Sequence, residues 1–367
     1  MITDIAEKIS AGERLNYDDG LRLFLHPNVT ELGLLADYIR RQKHPDPMVT
    51  YNIGRNINYT NVCWVRCKFC AFYRPPGDQE GYTLPDQEIF SKIEELIGVG
   101  GDEPESCEIL MQGGLNPKLK IDYYERLFSE ITQRFPAAYL HSLSVAEIVY
   151  IAQISNVSVK DALMRLRDAG LKSLPGAGAE ILDDEVREAI AYRKESTQEW
   201  LDVHKTAHRI GMKSTATMMF GSVETVEQRL KHLLRVREVQ DESLATREGY
   251  FTAFISWSFQ PEGTELPETR KATGYDYLRT TAIARLMLDN IENIQASYVT
   301  QGPKIAQIAL RYGINDFGST MMEENVISAG GVSFVMPTDE IARLIEDAGY
   351  SAQRRNTRYE LIENSDR

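Results

Sequence analysis

No stretch of the 367-residue sequence approaches the ~20 uninterrupted apolar residues that a membrane helix needs. The opening MITDIAEKISAGERLNYDDG lacks the apolar segment of a signal peptide, so a cytoplasmic location is expected. Basic residues are in short supply: 41 Lys and Arg face 54 Asp and Glu, a formal net charge of −13. Neutralising nucleic-acid phosphates takes clustered Lys and Arg, so nucleic acid is not an expected partner and a small-molecule substrate is. Cysteine is scarcer still, with four in the chain, too few for a disulfide scaffold of this size. Three of the four fall within eight residues, too close together to staple distant parts of a fold, and such clustering points to a metal.

What the sequence does contain is a large apolar fraction, 43%, enough for one sizeable core. Eight short β-rich runs are spread along it: residues 49–60, 107–113, 139–145, 171–177, 212–221, 250–259, 294–300 and 314–322. Between them lie segments such as QEIFSKIEELIGVG, YYERLFSEITQRF and VEQRLKHLLRVREVQ, where apolar residues recur three and four apart as one buried helix face requires. NVSVKDALMRLRDAGLK is one further helix, with Gly170 suited to its C-terminal cap. Strand and helix alternating in this way predict an α/β fold, a (β/α)8 TIM-type barrel with a helical N-terminal extension. The expected division is an extension over 1–48, the barrel over 49–350 with a closing helix after Pro337, and a C-terminal tail over 351–367. Chemistry in such a barrel gathers where strands end. The unusual sequences follow the expected strand ends: the cysteine loop after the first, QGG after the second, PGAGAE after the fourth, FGSVET after the fifth and QPEGT after the sixth.

The cysteine loop reads Cys63-x3-Cys67-x2-Cys70. Three thiolates from one tight loop can hold three irons of a [4Fe–4S] cubane and leave the fourth iron without a protein ligand. Structural zinc wants four ligands. The remaining cysteine, Cys107, lies in an expected buried strand as a core thiol, so zinc would need a histidine or carboxylate as its fourth donor. Phe69 and Phe72 flank the last cysteine of the loop, placed either to pack on a bound aromatic group or simply in the core.

The cysteine spacing, the aromatic before the third cysteine, the position after a first barrel strand and the later glycine pair resemble the radical S-adenosylmethionine superfamily. That resemblance implies two cofactors, the [4Fe–4S] cluster on Cys63, Cys67 and Cys70, and S-adenosylmethionine chelated to its open iron. It also implies an external one-electron donor. Phe69 and Phe72 would then pack on the adenine, and Gly113 and Gly114 would form the turn whose backbone receives the methionine amino group. The stretches NYTNVCWVRCKFCAFYRPPGDQEGY, SLPGAGAEIL, ATMMFGSVET and FTAFISWSFQPEGTEL resemble the cyclases of the futalosine route to menaquinone. Aminofutalosine synthases and the enzymes that make the deazaflavin chromophore are close relatives of that family, and the SWSFQP run favours the cyclases. Ala177 stands where the family shows a third glycine, and HSLSVAE replaces a more proline-rich version after the third strand.

The resemblance implies hydrogen abstraction from the ribose of dehypoxanthine futalosine by a 5′-deoxyadenosyl radical, then addition of the carbon radical to the attached benzoate ring. Loss of an electron and a proton restores aromaticity. A base is needed for that proton, and His141 and Glu180 are the sequence candidates. His141 has an equal claim as a strand-end residue bonded to backbone; Glu180 could instead bind a ribose hydroxyl or cap a helix starting near Asp183. Arg74 beside the cysteine loop is a candidate anchor for the benzoate carboxylate, or a surface ion pair. Trp257, Gln260, Tyr82 and Glu224 are further expected mouth residues. Two rivals remain at this point: radical addition to 3-[(1-carboxyvinyl)oxy]benzoate, as in aminofutalosine synthases, and a non-catalytic iron–sulfur electron carrier.

Overall fold

Each of the eight β-rich runs contains a strand in the computed structural model, which describes residues 2–331 and 334–362. The first run is broken at Ile53 into β1 (Met48–Asn52) and β2 (Gly54–Ile57). Then follow β3 (Cys107–Met111), β4 (Ala138–Leu140), β5 (Ser173–Leu174), β6 (Lys213–Phe220), β7 (Phe251–Ser258), β8 (Asn293–Gln295) and β9 (Asp316–Ser319). Every pairing between them is parallel, as βαβ crossovers require. β2 pairs with β3 and β3 with β4; a bridge between His141 and Ser173 carries the ring on to β5. From there β6, β7, β8 and β9 follow in order, and β9 returns to β1 through Thr50 and Asn52. Eight strand positions thus close on themselves. β5 is short because Pro175 follows it directly and has no N–H to give the ladder.

The C-terminal stretch departs from the sequence reading. Residues 351 onward, expected as a tail, begin with β10 (Ser351–Arg354), which pairs in parallel with β1. The chain beyond it carries Arg355, Thr357 and Tyr359 into the barrel interior, while residues 363–367 of the expected tail lie outside the described residues. Its polar sequence, SAQRRNTRY, hides the strand because no alternation of apolar residues marks it.

Helices wrap the ring, many of them started by a side-chain cap. Ser144, Ser196, Thr225 and Thr273 each accept a bond from the backbone N–H three residues on, and Glu147, Glu199, Gln228 and Asp276 return it. The helix read in NVSVKDALMRLRDAGLK runs Val159–Asp168, with Gly170 beyond it at φ +125. Three helices, Thr3–Ser10, Tyr17–Leu25 and Val29–Lys43, precede β1, and the third packs along the helix Gly274–Met287. No described helix is long and apolar enough to cross a membrane.

Side-chain alternation divides the strands between core and cavity. On β3, Cys107, Ile109 and Met111 are fully buried against the helices, while Glu108 and Leu110 line the interior cavity. On β6 the cavity side is Thr215 and Thr217; on β7 it is Ile255 and Trp257. The apolar core therefore lies between ring and helices, and the ring's own interior stays partly open and more polar.

Candidate active site

The interior opens into a cavity of ≈ 370 Å³, and Cys63, Cys67 and Cys70 all line it. Their loop leaves β2 and is fixed by its own backbone. Cys63 N–H donates to Arg74 O at 2.8 Å, Arg74 N–H to Asn61 O at 2.8 Å, and Cys70 N–H to Cys67 O at 3.1 Å. Arg66 takes a left-handed backbone, φ +60, to make the tight bend between the first two cysteines. All four cysteines are free thiols.

Burial pushes the Cys67 thiol well above its ordinary pKa and Cys70 up to about 11, although the backbone N–H groups of Tyr73 and Phe72 favour the Cys70 thiolate. Thiolates in this pocket are costly unless a cation sits among them, and a cluster supplies one. No group of three or more His, Cys, Asp and Glu side chains among the described residues could hold a single metal ion. The three thiols of the loop suit a cubane, in which each thiolate takes a different iron.

Gly113 and Gly114 touch the same loop. A Cβ on Gly114 would stand 2.4 Å from Val62 O and 3.0 Å from Cys63 Cβ; one on Gly113 would stand 2.8 Å from the Tyr59 ring. Only glycine lets the two loops approach this closely. Their N–H groups are committed, Gly113 to Glu147 Oε1 at 3.0 Å and Gly114 to Thr60 O at 2.8 Å. Among the described residues nothing donates to their carbonyl oxygens, which leaves two acceptors beside the cysteines for an ammonium group.

Comparison with known proteins decides the family. Residues 57–236 match the radical SAM superfamily, and residues 248–367 match the CofH/MqnC C-terminal region. The chain belongs to the radical SAM superfamily, in its CofH/MqnC branch. It is 48% identical over 361 residues to the cyclic dehypoxanthine futalosine synthase of Halalkalibacterium halodurans, covering 98% of this chain and 95% of that one. The aminodeoxyfutalosine synthase of Thermus thermophilus is 35% identical over 374 residues, covering 99% and 96%. Methylornithine synthase shares the fold, with a TM-score of 0.68 at 17% identity over 95% of this chain and 97% of that one. Radical SAM enzymes use a [4Fe–4S] cluster and S-adenosylmethionine, and the three clustered thiols facing the cavity with the two open carbonyls fit that pair.

The other expected radical SAM site residues divide. Phe69, Phe72, Trp257, His141 and Glu180 line the cavity with the cysteines. His141 Nδ1 lies 2.7 Å from Ser173 Oγ, and burial lowers its pKa, so the imidazole is neutral near pH 7. Glu180 does not cap a helix; the cap of the helix Asp184–Ala191 is Asp183. Instead Glu180 Oε1 pairs with Lys194 Nζ at 2.6 Å while Oε2 is buried without a partner.

Arg74, Gln260, Tyr82 and Glu224 are not among the lining residues. Arg74 braces the cysteine loop: Nε meets Glu80 at 2.6 Å and Nη1 points at the carbonyls of Ala71, Phe72 and Tyr73. Gln260 donates back to Ser258, Tyr82 to Asn58 O, and Glu224 clasps the N–H groups of Gly221 and Ser222 together with Arg229. Arg74, Tyr82 and Glu224 are engaged with nearby chain, whereas Gln260 Oε1 is buried without a partner.

Sequence reasoning missed Lys194, Glu147, Glu108, Glu324 and Arg355, all of which line the cavity. Arg355 forms a buried ion pair with Asp316, with Nη2 to Oδ1 at 2.8 Å, and lies 3.8 Å over the Tyr359 ring. The only available signal was parity: Glu108 stands at an inward position of an otherwise apolar strand.

Proposed function

We propose that this chain closes a carbon–carbon bond between the ribose and benzoate parts of dehypoxanthine futalosine, giving the cyclic product of the futalosine route to menaquinone. The observation that carries this reading is 48% identity over nearly the whole length of a cyclic dehypoxanthine futalosine synthase. When bound, the cluster and S-adenosylmethionine supply a 5′-deoxyadenosyl radical that removes hydrogen from the ribose. Cys63, Cys67 and Cys70 would hold the cluster, and the open carbonyls of Gly113 and Gly114 would accept the methionine ammonium. Glu180 Oε2, buried without a partner, is free to accept a ribose hydroxyl. Thr215, Thr217, Ile255 and Trp257 wall the cavity below, where a fitted substrate leaves little room for water. An external one-electron donor and a cytoplasmic setting complete the reading, in keeping with four unpaired thiols. The acidic balance of the chain argues against a nucleic-acid partner.

The 35% identity to an aminodeoxyfutalosine synthase supports a second reading, radical addition to 3-[(1-carboxyvinyl)oxy]benzoate. Anaerobic, reconstituted protein with reductant and S-adenosylmethionine separates the two. Consumption of dehypoxanthine futalosine with release of 5′-deoxyadenosine is expected. Consumption of 3-[(1-carboxyvinyl)oxy]benzoate with dehypoxanthine futalosine untouched overturns the cyclase assignment.

A further inference from the structure

Four glutamates line the cavity: Glu108, Glu147, Glu180 and Glu324. Three have protein partners, Glu180 through one oxygen only. Glu147 accepts from Tyr59 Oη, Gly113 N–H and both the N–H and hydroxyl of Ser144. Glu324 caps a short helical turn through the N–H groups of Val326, Ile327 and Ser328. Glu180 is neutralised by Lys194. The Glu108 carboxylate, among the described residues, accepts no hydrogen bond and makes no ion pair. Glu108 is part-buried and its oxygens face the cavity without a protein partner, so a molecule filling the cavity can reach them.

Its surroundings keep it open. Glu108 pairs in register with Gly54 on one side and Tyr139 on the other. A Cβ on Gly54 would lie 3.1 Å from Glu108 Cβ and 2.5 Å from Ser319 Oγ, so the missing side chain keeps that side clear. The titratable groups in electrostatic reach are Tyr139 and His141 on and just after β4 and Arg355 and Tyr359 from the chain after β10. Arg355 is tied to Asp316 and His141 is neutral, so both act on Glu108 only through space and neither bonds its carboxylate. Glu108 lies three residues before the end of β3 at Met111, roughly 10 Å of strand deeper in the cavity. A substrate that fills the cavity meets this carboxylate.

Resting on the cyclase reading, we propose that Glu108 is the base that takes the proton from the benzoate ring after ring closure. At that point the attacked ring carbon carries the new bond and its original hydrogen. The C–H bond breaks, its proton passes to Glu108, and its electron pair returns to the ring. The one surplus electron leaves to a one-electron acceptor of the iron–sulfur class, and the ring is aromatic again.

The test compares wild type, Glu108→Gln and Glu108→Asp, each checked for iron content and thermal melting, by substrate calorimetry and by single-turnover yields of 5′-deoxyadenosine and cyclised product. In Glu108→Gln, substrate Kd should stay within about threefold and 5′-deoxyadenosine should still form, while product falls by roughly 100-fold or more. Glu108→Asp, with its carboxylate drawn back, should show the same uncoupling in weaker form. Product formation near the wild-type level in Glu108→Gln overturns the inference. So does loss of substrate binding, which would make Glu108 an anchor instead of a base. If Glu108→Gln does not fold, full coupling in Glu108→Asp counts against the inference and uncoupling counts for it. Wild type that leaves dehypoxanthine futalosine untouched removes the functional reading itself, whereas wild type and Glu108→Gln cyclising alike remove only the role of Glu108.

Discussion

Lys194 Nζ stands 2.6 Å from Glu180 Oε1 with both side chains less than a tenth exposed, and it also donates to Gly178 O at 3.1 Å. The same ammonium lies 5.6 Å over the Phe69 ring, so one cation links the loop after β5 to the cysteine loop. Glu180 holds a left-handed backbone, φ +41, which costs a non-glycine residue on the order of 1 kcal/mol and persists because its side chain is tied down. Removing one partner of a buried pair strands the other. Lys194→Met should therefore lower stability by about 3 kcal/mol, and Lys194→Met with Glu180→Gln by less, because the stranded charge is gone. Denaturant titration of the three proteins measures the difference; equal losses in the single and double variants would contradict the coupling.

The contact between the glycine turn and the cysteine loop leaves no slack. An alanine at 114 would push its Cβ to 2.4 Å from Val62 O, a backbone atom that cannot swing aside. Gly114→Ala is expected to displace the cysteines and cut iron content after reconstitution to less than about half, while far-ultraviolet dichroism stays close to wild type. Gly98, with open space around its Cβ position, supplies the control: Gly98→Ala should load iron normally.

Acid should unfold this protein through its histidines. His204, His208, His232 and His141 are buried, and burial lowers all four pKa values, His208 and His232 to about 3. In the unfolded chain each takes up a proton near the ordinary value of 6.5. Between 6.5 and the lowered folded values the unfolded state binds more protons, so stability present above pH 6.5 is lost as pH falls toward about 3. Each histidine contributes roughly 1 kcal/mol of loss between pH 7 and 5.5. Urea midpoints across that range should fall, and His208→Gln should flatten the slope. A midpoint that holds steady down to pH 5.5 would contradict it.

The ring was legible because parallel strands alternating with amphipathic helices carry their periods openly, and the cysteine loop because three thiols so close have few other uses. Lys194 was not legible. It sits in RKESTQEW, a charged stretch that reads as solvated surface until the fold turns it inward. Arg74 misled in the opposite direction: its place beside the cysteines suggested a ligand anchor, but a guanidinium has enough donors to brace a loop, and this one does. Glu108 was hidden in CEILMQG because a run of apolar residues does not announce which face its single acid takes; that followed only once β3 had neighbours on both sides.

The same parity separates the fourth cysteine from the other three. Cys107 precedes Glu108 on β3 and so faces the helices, where its sulfur lies 3.5 Å from Gly101 O and against Gly100. It is fully buried and does not line the cavity, so it cannot supply the open iron with a fourth thiolate. Replacing Cys63, Cys67 or Cys70 by Ala removes one of only three protein ligands; each variant should lose most of its iron and its visible absorption after anaerobic reconstitution, and release no 5′-deoxyadenosine. Cys107→Ala should load iron as wild type does and lose about 1 kcal/mol of stability, the cost of a small buried side chain. Full iron loading and cofactor cleavage by Cys67→Ala would overturn the ligand set, and loss of the cluster from a folded Cys107→Ala would show that a fourth thiol takes part.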